Sequence, residues 1–154
     1  MPALCFGTFG EPLSVLNPIL LNLPSPGIDD VHVRMRLRPV NPSDLYQIRG
    51  RYGRLPELPA IAGLEGMGVV EAVGSGARGI TVGQRIVFRE IHGTWADVVV
   101  THEPALIPVP DDVPDEAAAQ AIVNPLTAYA MIQDLAPPEG SWILLTAAGS
   151  AVGR

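Results

Sequence analysis

The sequence predicts a mainly β domain with helices confined to its C-terminal third. Three observations carry that expectation. Gly and Pro supply 16 residues each of 154, about a fifth of the chain where globular domains average about 12%. That density of turn formers and helix breakers excludes a bundle or a coiled coil. Short apolar or alternating runs recur between these residues through the first two thirds. Near residue 112 the pattern changes to an acidic stretch followed by alanines.

Strands are expected at 14–23, 31–40, 66–73, 85–88, 94–100 and 106–108. Short strands with long irregular connections suggest a small, partly open barrel or a sandwich. In the second strand Arg34, Arg36 and Arg38 alternate with Val33, Met35 and Leu37, predicting one solvated face and one buried face. The connection 41–62 holds Pro42, Pro56 and Pro59 without clear periodicity, and a link of that length is either functional or disordered. Further on, Asp112, Asp115 and Glu116 precede the alanine run and open a helix, because negative charge favours a helix N-terminus. Asn124 then reads as a side-chain cap with Pro125 at the first helical position, for a second helix running to about Leu135. Pro137, Pro138 and Gly140 end it. The segment 141–146 reads as a strand with apolar residues on both faces, as in the middle of a parallel sheet.

Composition narrows the function classes. An apolar fraction of 47% excludes a disordered tail. The net charge of −6 argues against nucleic acid as a partner, since phosphate binding needs clustered cations. Cys5 is alone and forms no internal disulfide. The sequence contains neither a secretory leader pattern nor an apolar run near the roughly 18 residues that span a bilayer. A cytoplasmic protein without membrane or nucleic-acid partners is the expectation.

Two glycine-rich loops compete for a phosphate-binding role. Gly74, Gly76 and Gly79 form a literal G-x-G-x-x-G, but 81–88 reads as strand where a dinucleotide fingerprint needs a helix. That loop is expected to be a hairpin-like connection whose glycines adopt positive φ. The second loop follows the strand 142–146 and sets Ala148, Ser150 and Gly153 at the three small positions of the fingerprint.

The segments Asn41-Pro42-Ser43-Asp44, 50–56, 58–70, 83–87 and 93–96, with Asn124-Pro125-Leu126-Thr127-Ala128-Tyr129 and 147–153, occur in a telling order. In that order they resemble the medium-chain dehydrogenase/reductase superfamily. The resemblance implies a chaperonin-10 (GroES)-like, partly open β-barrel followed by the first strand of a truncated Rossmann domain. Its parts would be a catalytic domain over 1–112, bridging helices over 113–140 and the start of the nucleotide-binding domain over 141–154. Within the superfamily, the first of these motifs with Gly50-Arg51-Tyr52-Gly53 and the later Asn-Pro-x-Thr-Ala-Tyr are most similar to the zinc-free 2-enoyl thioester reductases. Quinone oxidoreductases are close neighbours.

That likeness implies NADPH-dependent reduction of the C=C bond of an enoyl thioester, enoyl-CoA or enoyl-ACP. A zinc-free NADPH:quinone oxidoreductase is the alternative, and a non-catalytic binding or assembly module is the reading from another class. Tyr52 is implied as the catalytic residue, its phenol (reference pKa about 10) able to donate at neutral pH. Asn41 would orient substrate or nicotinamide, and Tyr46 is a rival for the tyrosine role. Thr127 and Asn124 would lie near the nicotinamide, with Ala148, Gly149, Ser150, Ala151, Val152 and Gly153 as the phosphate turn. No zinc is implied, since Leu64 stands where the family's His ligand would be, and His32, His92 and His102 have no ligand-like spacing. Trp95 is expected in the core and Glu65 as an acceptor for backbone amides. A nucleotide-binding half needs at least two strands joined by a helix. The chain is therefore expected to be the N-terminal portion of a longer enzyme, inactive alone and homodimeric at full length.

Overall fold

The computed structural model describes residues 1–153. Two antiparallel sheets form its body. The smaller has the order β2-β1-β4, from β1 (Pro2–Phe6), β2 (Leu16–Leu20) and β4 (Ala60–Ile61). The larger has the order β7-β3-β5-β6-β8, from β3 (Asp30–Leu37), β5 (Met67–Val73), β6 (Arg85–Phe88), β7 (Val98–His102) and β8 (Leu106–Pro108). The stretch 95–97 stitches the sheets together. The Leu4 amide donates to Trp95 O at 2.9 Å and the Asp97 amide to Pro2 O at 2.9 Å, while the Met35 amide donates to Asp97 O at 2.9 Å. One short segment thus satisfies backbone groups of β1 and β3, and the result is a partly open barrel.

β3 sits between β7 and β5, and its alternation fixes its faces. Val31, Val33 and Met35 are buried with Val70, Ile86, Phe88 and Val99, each such side chain contributing on the order of 1.5–3 kcal/mol. The arginines take the other face as expected. Arg34 pairs with Glu71 at 2.8 Å, Arg36 with Asp115 at 3.2 Å and Arg38 with Asp97 at 3.2 Å. A second cluster of Phe6, Ile48, Ala60, Ala62 and Trp95 packs the smaller sheet, with Trp95 in the core as predicted. A third joins Met67 and Val87 to Ala118 and Ala119 of the acidic-alanine stretch.

Six departures from the sequence expectations have physical causes. β1 carries no sequence signal beyond a short apolar run, and it forms because β2, β4 and the 95–97 segment all pair with it. The expected strand 14–23 is split into a helical turn, α1 (Pro12–Val15), and β2. The link 41–62 contains α2 (Pro42–Ile48), too short for a hydrophobic period to show. The acidic opening gives only the four-residue α3 (Asp115–Ala118). α4 (Val123–Leu135) begins at Val123, so Asn124 lies inside its first turn and is not the cap. Finally, 141–146 forms no strand: a strand buried on both faces needs parallel neighbours, and Trp142 is 100% exposed.

The Gly74 to Gly79 loop does connect two antiparallel neighbours, β5 and β6. Its glycines, however, do not have positive φ. They allow close approach. A Cβ on Gly74 would collide with the carbonyl oxygens of Gly27 and Ile28, and one on Gly79 with the Glu103 carboxylate. That carboxylate accepts the Arg78 and Gly79 amides at 2.8 and 3.0 Å, so the anion held by this loop is a side chain of the barrel itself.

Candidate active site

The end of α2 presents Tyr52. The Gly50 amide donates to Gln47 O and the Arg51 amide to Tyr46 O, both at 2.9 Å, and Gly50 has φ +72°. These two bonds and a left-handed glycine make a Schellman stop. Tyr52 follows two residues later and Gly53 is again left-handed, so the phenol stands between two glycines, 46% exposed. Among the described residues its hydroxyl makes no side-chain hydrogen bond. The rival Tyr46 lies on the exposed side of α2 with the Arg49 guanidinium 5.9 Å from its ring centre.

The start of α2 is buried and polar. Asn41 is its N-cap, and the Asp44 carboxylate reaches back to accept the Asn41 amide at 2.6 Å. Burial pushes the Asp44 carboxyl up to about 6, against the pull of the Asn41 and Leu64 amides, and the neighbouring Glu65 charge adds to the rise. Asn41 Nδ2 donates to Glu65 Oε1 at 2.7 Å, and the other carboxylate oxygen, Oε2, accepts the Val123 amide at 2.9 Å. Glu65, 2% exposed, therefore satisfies a backbone amide as expected, and also a side chain of the candidate site.

Near the middle of α2, the side-chain amide of buried Gln47 shares a hydrogen bond with His92, Nε2 to Nδ1 at 3.1 Å. His92 also borders a 510 Å³ cavity with Arg54, Leu55, Pro56, Glu57, Glu90 and Ile91. Arg54 is two residues from Tyr52, so their Cα atoms lie within about 7 Å.

The other predicted residues are distributed unevenly. Asn124 is buried beside Gln120, at 3.4 Å, and Thr127 donates its hydroxyl to Val123 O at 2.6 Å. Glu65 thus brings Asn41 to the turn that carries them, while Tyr52 shares no hydrogen bond with any of them. Ala148, Gly149, Ser150, Ala151, Val152 and Gly153 form a tight turn, with no strand before it among the described residues. The Ser150 amide donates to Ala147 O at 2.9 Å and the Gly153 amide to Ser150 O at 3.1 Å. Among the described residues no three His, Cys, Asp or Glu side chains group as metal ligands.

Residues 27–111 match the model of the alcohol dehydrogenase GroES-like domain. The chain belongs to that family. With it the GroES-like domain falls in the medium-chain dehydrogenase/reductase superfamily, as its motif order implied. The mitochondrial enoyl-[acyl-carrier-protein] reductase of Rattus norvegicus is 42% identical over 154 residues, covering 99% of this chain and 41% of the relative. The chain thus spans about two fifths of the length of that curated relative. Among solved structures, the Escherichia coli quinone oxidoreductase complexed with NADPH has a TM-score of 0.79 at 26% identity, covering 99% of this chain and 47% of that one. A mutant form of the enoyl thioester reductase from Candida tropicalis has a TM-score of 0.80 at 26% identity, covering 99% and 49%.

One expectation is overturned by these relatives. The rat protein and its counterparts from cattle, mouse and human are named as mitochondrial, against the expected cytoplasmic location. Composition and a missing leader pattern carry no information on compartment. Sequence reading of the GroES-like domain also missed Asp44, Gln47 and His92 as site residues. The signal for Asp44 was present, since Asn41-Pro42-Ser43-Asp44 is a cap with an acid three residues on.

Proposed function

We propose that this domain forms the substrate side of an NADPH-dependent, zinc-independent reductase acting on the C=C bond of 2-enoyl thioesters. The observation that carries the reading is the presentation of Tyr52 by the α2 stop, half-exposed between two left-handed glycines. The likeness to the rat enoyl-[acyl-carrier-protein] reductase supports the substrate class. Leu64 at the family's His ligand position supports zinc independence.

What these residues contribute is a proton, hydrogen bonds and orientation. Reduction of an enoyl thioester builds negative charge on the carbonyl oxygen and leaves the α-carbon in need of a proton. The Tyr52 phenol serves either need: it donates a hydrogen bond to the oxygen as charge develops, or transfers its proton to carbon. Asn41 orients the thioester or the nicotinamide, and Thr127 and Asn124 stand on the turn joined to it. Reduction of a quinone by the same residues is the second reading, favoured by the fold shared with the Escherichia coli enzyme.

Tyr52→Phe tests the assignment in a polypeptide that carries these residues together with a nucleotide-binding half. The expected outcome is a fall of about 100-fold or more in kcat for enoyl thioester with little change in KM. A variant as fast as the parent would remove Tyr52 from the mechanism.

A further inference from the structure

The Asn41 side chain has two faces of opposite hydrogen-bonding character, and both are engaged: its oxygen face serves the α2 capping box, toward the Asp44 N–H, and its NH2 face meets buried Glu65. Glu65 Oε1 lies 2.7 Å from Asn41 Nδ2. A carboxylate only accepts, so the corner of the amide that faces it must be the NH2, and the carbonyl oxygen is turned away. The second oxygen of the same carboxylate holds the Val123 amide at 2.9 Å, at the first residue of α4. Both links are long-range, across 24 and 58 positions of sequence, and Glu65 itself is 2% exposed. A neutral amide at position 65 would satisfy the Val123 N–H equally well. It would present its NH2 to Asn41 and favour the reversed amide, which would set the Asn41 NH2 against the Asp44 N–H of the capping box.

We propose that Glu65 is a positioning residue: it turns the Asn41 carbonyl oxygen away from itself and locks that orientation to the start of α4. This rests on the reading that Asn41 serves the reaction site. The α2 cap and the Thr127 turn then keep one relative geometry, with the Asn41 oxygen held on the Asp44 N–H side of the capping box.

Glu65→Gln tests this in the chain itself by side-chain and backbone amide exchange. The Asn41 Nδ2 protons should exchange at least tenfold faster than in the parent, while Val123 and the core amides of Val31, Val33 and Val70 stay protected. Adding Asn41→Asp to Glu65→Gln should repair the site, since the new carboxylate accepts from the introduced NH2 with one oxygen and from the Asp44 N–H with the other. In a polypeptide with a nucleotide-binding half, Glu65→Gln should lower kcat at least tenfold at unchanged KM, and the double variant should recover most of it. Asn41→Asp alone sets two carboxylates face to face and should be worse than either. Unchanged Asn41 exchange, or a double variant no better than Glu65→Gln, would overturn the proposal. Should Glu65→Gln fail to fold, the double variant decides: folded with Val123 protected supports it, unfolded refutes it. A parent protein that reduces no enoyl thioester contradicts the functional reading and leaves amide exchange to judge Glu65.

Discussion

The Asp44 carboxyl is 1% exposed, and burial pushes its pKa from 3.8 to about 6. Between those values the folded state holds a proton that the unfolded state has released, so the free energy of unfolding falls as pH rises through the window. The penalty is complete above about 6 and absent below 3.8. Asp44→Asn leaves an oxygen for the Asn41 amide and removes the charge. Its melting temperature should exceed that of the parent near pH 8, with the gap closing toward about pH 4; a gap that widens on acidification would contradict the assignment. At this scale Tyr52 is singled out by a short motif alone. Glu65 was legible only as an acceptor for amides, and its link to Asn41 was not, because partners 24 and 58 residues away are brought together only by the fold.

Among the elements, the two Asn-Pro pairs make an instructive contrast. At 41–42 the pair caps α2, where Pro42 occupies the first helical position and loses no hydrogen bond. The cue is the same at 124–125, yet α4 has already begun at Val123, whose amide is satisfied by Glu65. Local chemistry marks a permissible helix start, and a tertiary acceptor chose the actual one. The other end of α2 depends on Gly50. Its φ of +72° costs an L-residue about 1–2 kcal/mol, and a Cβ there would meet Phe9 at 3.0 Å. Gly50→Ala should therefore lower stability by at least that much in urea unfolding. Gly53→Ala, with φ +48° and open space around its Cβ, should cost less. Equal losses would mean that the Phe9 contact is not binding on the backbone.

For the whole molecule, the alternating and apolar runs identified four of the eight strands closely, β3, β5, β6 and β8, and the mainly β class with them, while the strand expected at 94–100 is shifted to β7 at Val98–His102. They did not reveal that β1 and the 95–97 segment close the barrel, because those pairings use backbone groups that carry no side-chain pattern. The helical end was read as elements but not as packing. Leu126, Tyr129, Met131, Ile132 and Leu135 of α4 are exposed, as are Trp142 to Leu145. The two tryptophans report this difference directly, with Trp95 at 9% exposure and Trp142 at 100%. Acrylamide should quench one emission component freely and spare the other, and Trp142→Phe should remove the quenched component; uniform protection would contradict this arrangement. The functional reading is tested most directly by NADPH oxidation in a polypeptide joining these residues to a nucleotide-binding half, supplied in turn with a trans-2-enoyl thioester and a quinone. The proposed function predicts turnover with the enoyl thioester and its loss in Tyr52→Phe, whereas turnover with the quinone alone would contradict it.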